Sequence, residues 1–318
     1  MTHDRLRGPA ETAVRKCMRL QPNESCLIVT DHERQPVGEA LYEVANERTD
    51  DASIVRYPPG DQHGEEPPAA AAAGMRAADV VLAPTKKSIT HTKARSDATE
   101  AGARVATLPG ITEEVFVTGL DADYTEIKRH CEDLHAEVSG AETVRVQTER
   151  GTDIVFRPGD REWREDTGIV HEPEAMSNLP AGEVFLSPET ANGTFVVDGT
   201  MMPHGLLEEG HVLEFEVDDG TVTEVSDDGV REELDAAAEE VGQDAYNLAE
   251  LGIGTNVGVT ELVGSVLLDE KAAGTVHIAI GDDHAIGGDV EAPIHLDGIV
   301  RDPKVYVDGD EINLPSGV

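Results

Sequence analysis

Five residues in the C-terminal half of the sequence have side chains of the types that hold metal ions, each beside small residues and an expected strand. They are Glu183 in NLPAGEVFLSP, Glu250 in NLAELGIGTN, His277 in GTVHIAIG, and His295 with Asp297 in IHLDGI. Two positions apart on a strand, His295 and Asp297 emerge on one face, so an imidazole and a carboxylate can reach one ion. His277 is surrounded by apolar and β-branched residues, where an imidazole must find a hydrogen-bond partner or a metal. A core histidine bonded to a backbone carbonyl is the plain alternative. Glu183 stands in an apolar strand and requires a partner charge. Glu250 has the alternative of a solvated residue at a helix end. Together, three carboxylates and two imidazoles suit two divalent ions about 3.5 to 4 Å apart, with Asp297 as the natural bridge. Such a pair holds a water, lowers its pKa and polarises a peptide carbonyl, which is the chemistry of amide hydrolysis.

The abundance of acid weakens any single motif. With 64 Asp and Glu among 318 residues, about two or three of the twelve histidines would have an acid two positions on by chance. Four do: His63/Glu65, His130/Glu132, His135/Glu137 and His295/Asp297. The metal reading therefore rests on the combination of segments and not on the H-x-D alone.

The formal net charge is −39, only seven of the 25 basic residues are lysine, and aromatics make up 3%. Apolar residues still reach 39% in regular blocks, enough for a core, so the chain reads as a folded, halophilic protein and not as a disordered acidic one. At about 1 M salt the Debye length falls to about 3 Å, and self-repulsion is largely screened. The same charge disfavours nucleic acid and anionic membrane surfaces as partners. Cys17, Cys26 and Cys131 show no C-x-x-C spacing and read as small buried hydrophobes of a reducing compartment. MTHDRLRGPAET has no apolar core region and no stretch reaches the ~18 apolar residues that a membrane span requires, so a cytoplasmic location is expected.

Two kinds of element must position the candidate residues. From residue 25 to about 110, apolar runs (SCLIVTD, ASIVRYPP, VVLAPT, ARVATLPG) alternate with helical stretches, which implies βαβ units and a parallel, Rossmann-like sheet. A helix is expected over 121–138 and a boundary close to residue 142. Beyond it, short runs separated by Asp-Gly turns, as in HVLEFEVDDGTVTEV, imply antiparallel, curved sheet with a helix at 230–242. The expected organisation is an α/β N-terminal domain, 1–142, followed by a mixed, strand-rich α+β metal-binding domain, 143–318.

The order GEVF, AELGIG, GTVHIAIG, IHLD resembles the thermophilic-type metallo-aminopeptidases, the family of aminopeptidase T and aminopeptidase S. VVLAPTKKSITHTKARSDATEAGARVATLPGITEEVF is similar to the N-terminal domain of that family, so the resemblance covers most of the chain. It implies two divalent ions (zinc, cobalt or manganese) on Glu183, Glu250, His277, His295 and Asp297, a metal-bound water as nucleophile, short peptides as substrate and a homodimer. The leading expectation is accordingly an aminopeptidase. Two departures bear on it. Where the family has a tyrosine as proton donor or transition-state ligand, this sequence has GDDHAIGG with His284, which together with Glu183 becomes the expected catalytic residue. His295 also follows His277 by only eighteen positions, which shortens the substrate-side loop.

Shorter relatives of the same fold include the dihydroxypyridine dioxygenase of nicotinate breakdown, with two histidines and an aspartate around one Fe(II). That resemblance implies His277, His295 and Asp297 as a facial triad with open positions for oxygen and substrate. THTKAR resembles these relatives too and brings forward His91 as a base, although Ser88 and Thr90 ahead of a helical pattern also fit simple capping. GDDHAIGG matches no phosphate-loop pattern and reads as a flexible loop at the edge of the site. A metal-free binding module that retains the fold is the third expectation.

Overall fold

The computed structural model describes residues 2–316, which cluster into two compact units, one of residues 2–128 and 166–181, the other of 129–165 and 182–316.

The first unit is built on a five-stranded sheet in the order Ala52–Tyr57, Cys26–Asp31, Val80–Thr85, Arg104–Pro109, Met176–Asn178, with every neighbouring pair parallel. Cys26–Asp31 and Val80–Thr85 are buried at all six positions, as continuous apolar runs should be where helices cover both faces of a parallel sheet. The intervening helices follow from local chemistry. Ala69–Ala77 is five alanines followed by GMRA and turns Ala71 and Met75, four apart, into the core. The helix Lys93–Glu100 starts at Thr92, whose hydroxyl accepts from the Arg95 amide, and Glu113–Leu120 starts at Thr112, which accepts from Val115. Cys17, Cys26 and Cys131 are all buried.

The second unit carries two antiparallel sheets. In the first, Leu213–Asp218 alternates buried and exposed residues and pairs Phe215 directly with Phe195 of Thr190–Val197, their rings stacked at 4.5 Å. One face of that sheet is therefore solvated. The second sheet sets His295–Val300, Val276–Gly281, Leu248–Gly254 and Glu183–Leu186 side by side. Its two inner strands, Val276–Gly281 and Leu248–Gly254, are buried throughout. The helix Asp228–Val241 begins at Asp227, whose carboxylate accepts from the Val230 amide. Both sheet types agree with the expected fold class. Among the described residues, no helix is long and apolar enough to cross a membrane.

Candidate metal centre

The register of the second sheet explains how residues scattered over 115 positions of sequence come together. Glu250 pairs with Ala279 and Ala279 with Asp297, so the two carboxylates flank a methyl group on one face of three adjacent strands. His277 and His295 lie two positions either side of that row on the same face, paired with Ile299 and Gly281. Glu183 pairs with Gly254, which brings it to the far edge of the same face. A register shift between Leu248 and Glu250 adjusts the facing of Glu250; such bulges re-aim side chains next to sites. Small residues, Gly252, Gly254 and Ala279, separate the functional ones; the two glycines admit the His277 ring and the Ala272 backbone against the sheet.

Two groupings result, Glu183–Glu250–His277 and Glu250–His295–Asp297, each with its ligand atoms within 4.8 Å of one another. Glu250, and not Asp297, is common to both. Its Oε1 lies 3.2 Å from His277 Nε2 and its Oε2 3.6 Å from His295 Nε2. His295 Nε2 is in turn 3.4 Å from Asp297 Oδ1. The other ring nitrogen, His295 Nδ1, donates to the backbone carbonyl of Asp282 at 2.7 Å. That bond holds a proton on Nδ1 and directs Nε2 at two carboxylates, where it carries a second proton or, once that has left, offers a lone pair to a cation. Acceptors facing acceptors are repulsive unless a cation or a proton stands between them, so the arrangement suits a metal ion.

The protonation states express the same demand. Burial alone would lower His277, but Glu250 and Glu183 outweigh it and push the imidazole up to about 9. His295 is likewise raised well above its ordinary value, because Asp297 and Glu250 outweigh burial. Burial would raise Asp297, yet His295 brings it down to about 2. His277 is almost wholly enclosed, whereas a third of the His295 side chain is exposed, so the cluster opens on the His295 side.

The plain alternatives for two residues are corrected here. Glu250 is a buried strand residue and not a solvated helix end. His277 directs Nε2 at carboxylates, and its Nδ1 is buried without a hydrogen-bond partner.

Sequence reasoning missed Lys271. Its buried ammonium bonds Glu183 Oε1 and lies 2.7 Å from Glu270 Oε1, while Glu183 Oε2 faces His277 Nε2 at 3.4 Å. Burial pushes Glu183 up to about 8 against the pull of Lys271. The segment LLDEKAAGT is held in place by Asp269, whose carboxylate accepts from Thr200 Oγ1 and from the amides of Val263 and Gly264. The chain then runs so close to Gly254 that a β-carbon there would stand 2.1 Å from the Ala272 carbonyl oxygen. The available signal was slight: one of only seven lysines, beside an apolar run.

His284 and His91 are not part of either grouping. His284 opens a short 3-10 turn, His284–Ile286, with an exposed side chain. Its loop, expected to be flexible, is tied down by Asp283, which accepts from Ser187 Oγ, Asn247 Nδ2 and the Val290 amide, and by Arg161, which bonds the Gly287 carbonyl and Asp289. His91 is exposed and belongs to the first unit, just ahead of Thr92. Thr92 is the cap of that helix; Ser88 and Thr90 bond each other instead, and Thr90 meets Thr107 and Asn178.

The fold agrees with the comparison to known proteins. The sequence profile of the family NicX: 2,5-dihydroxypyridine 5,6-dioxygenase matches residues 11–315, and the chain belongs to that family. Among solved structures, the 2,5-dihydroxypyridine dioxygenase of Pseudomonas putida KT2440 superposes with a TM-score of 0.78 at 19% identity, covering 98% of this chain and 96% of that one. Wild-type AmpT from Thermus thermophilus superposes with a TM-score of 0.67 at 20% identity, covering 98% and 99%. No curated protein matches the chain in sequence.

The family match overturns the expectation of an aminopeptidase, and with it hydrolysis and proteolysis. The physical reason is visible in the sheet. GEVF, AELGIG, GTVHIAIG and IHLD are the strands that build a face of carboxylates and imidazoles, and both solved relatives share that fold. Those segments report the scaffold and leave the reaction open.

Proposed function

We propose that the chain is a ring-cleaving dioxygenase that uses a single Fe(II) and acts on a dihydroxylated pyridine or a closely related hydroxylated N-heteroaromatic. The observation that carries the reading is His295 Nε2 directed at Asp297 and Glu250 while Nδ1 is bonded to the Asp282 carbonyl, in a chain matched by the dioxygenase family over 11–315. Nitrogen and oxygen donors of this kind suit Fe(II), and a ferrous ion would supply the point at which dioxygen and the ring's hydroxyl oxygen meet.

The residues of the chain have separable tasks. His277, His295 and Asp297 would hold the ion, as the facial triad of the resemblance implies, with Glu250 beside it. The Asp282 carbonyl keeps His295 in the tautomer a ligand needs. Burial of His277 excludes water from the inner side, and the exposed edge of His295 leaves a side from which a flat ring can enter. In the overall reaction one ring carbon–carbon bond breaks and both atoms of dioxygen enter the product.

Oxygen uptake tests this directly. Protein loaded anaerobically with Fe(II) should consume one equivalent of dioxygen per 2,5-dihydroxypyridine, with loss of the ring's near-ultraviolet absorbance. Absence of uptake with this compound and with other dihydroxypyridines, in protein that holds iron, would remove the reading.

A further inference from the structure

The face carries two groupings that could each hold a cation, and a buried lysine bonds a carboxylate of one of them. Two divalent ions would need Glu183, Glu250 and His277 for one and Glu250, His295 and Asp297 for the other. The Lys271 ammonium, itself buried, lies on Glu183 Oε1 and 2.7 Å from Glu270 Oε1. A second metal ion on Glu183 would have to sit beside that fixed positive charge, where burial leaves little solvent to screen the repulsion.

We propose that Lys271 restricts the centre to one metal ion, its ammonium supplying the positive charge of the Glu183–Glu270 half while the ion binds on His277, His295 and Asp297 beside Glu250. Glu183 is then the partner of a lysine, not a metal ligand. This inference rests on the metal-centre reading above and adds the residue that sets the number of ions. The geometry that enforces it is local: Gly254, opposite Glu183, has no side chain, so the backbone at Ala272 closes on the strand and delivers Lys271 across its end. The charge balance agrees. Glu183 and Glu270 are two buried or half-buried carboxylates bonded by one lysine, whereas the ion pairs of Glu250 and Asp297 are with imidazoles and Lys271 reaches Asp297 only through space.

The test counts ions and does not use turnover. Chelator-stripped protein is saturated with Co(II), freed of excess by gel filtration and analysed for metal per chain. Wild-type protein should hold one equivalent. Lys271→Met should hold two, and Lys271→Arg, which restores the charge, should return to one. Glu183→Gln should keep one equivalent with unchanged affinity within about threefold, and this variant decides the matter if Lys271→Met does not fold by circular dichroism. Two equivalents in wild-type protein, one in folded Lys271→Met, or loss of the ion in Glu183→Gln would each overturn the role of Lys271. A wild-type protein with no bound ion would instead overturn the metal-centre reading on which it rests.

Discussion

The imidazole of His277 lies directly across Gly252 on the neighbouring strand: a β-carbon at residue 252 would stand 2.0 Å from Nε2 and 2.1 Å from Cε1. The two residues are paired in register, and only hydrogen at 252 lets the ring lie flat over the sheet and reach between Glu183 and Glu250.

Gly252→Ala should therefore displace the ring without touching any charged group. Inserting a methyl group into a packed interior costs about 1 to 3 kcal/mol, and disturbing the orientation of a ligand costs about 10- to 100-fold in metal affinity. Competition against a chromogenic chelator reads the second effect. An unchanged affinity would show that His277 does not hold the ion.

Removing the metal should lower the stability of the wild-type protein and not that of a variant that cannot bind it. A ligand present at about a hundred times its Kd contributes about 2.7 kcal/mol. Addition of a chelator should thus lower the Tm of wild-type protein by several degrees and leave Asp297→Ala unmoved. Equal sensitivity of both would place the metal elsewhere.

Metal and protons should compete. With the ion absent, His277 is raised to about 9 and His295 is raised as well, so both rings hold protons at neutral pH. Binding through Nε2 requires those protons to leave, so the apparent affinity should rise with pH up to about 9 and fall as pH drops. Protons should also be released into a weakly buffered solution when metal is added. Isothermal titration in buffers of different ionisation enthalpy measures the number; zero net release at pH 7 would contradict the raised imidazoles.

The −39 charge predicts a fold that needs salt. Between about 0.1 M and about 3 M potassium chloride the Debye length contracts from about 10 Å to below about 3 Å, which removes repulsion among carboxylates. Tm should rise across that range, and a flat profile would refute the expectation.

Much of the architecture was readable in the residues alone, because it depends on local chemistry. Apolar runs alternating with helical stretches between 25 and 110 dictate a parallel sheet, and the Asp-Gly turns after Leu213 dictate antiparallel strands; both sheets are present. The types needed for a metal centre were readable too, in Glu183, Glu250, His277, His295 and Asp297. What could not be read was how these side chains are shared out. The bulge at Leu248–Glu250 makes Glu250 common to two groupings, and a bulge leaves no mark in composition. Lys271 enters the site because Gly254 lets a backbone segment close against a strand seventeen residues earlier in the chain, a contact that only packing decides. The reaction was the least legible of all: both solved relatives share this fold, and a sheet face lined with carboxylates and imidazoles suits a cation without fixing what is done with it.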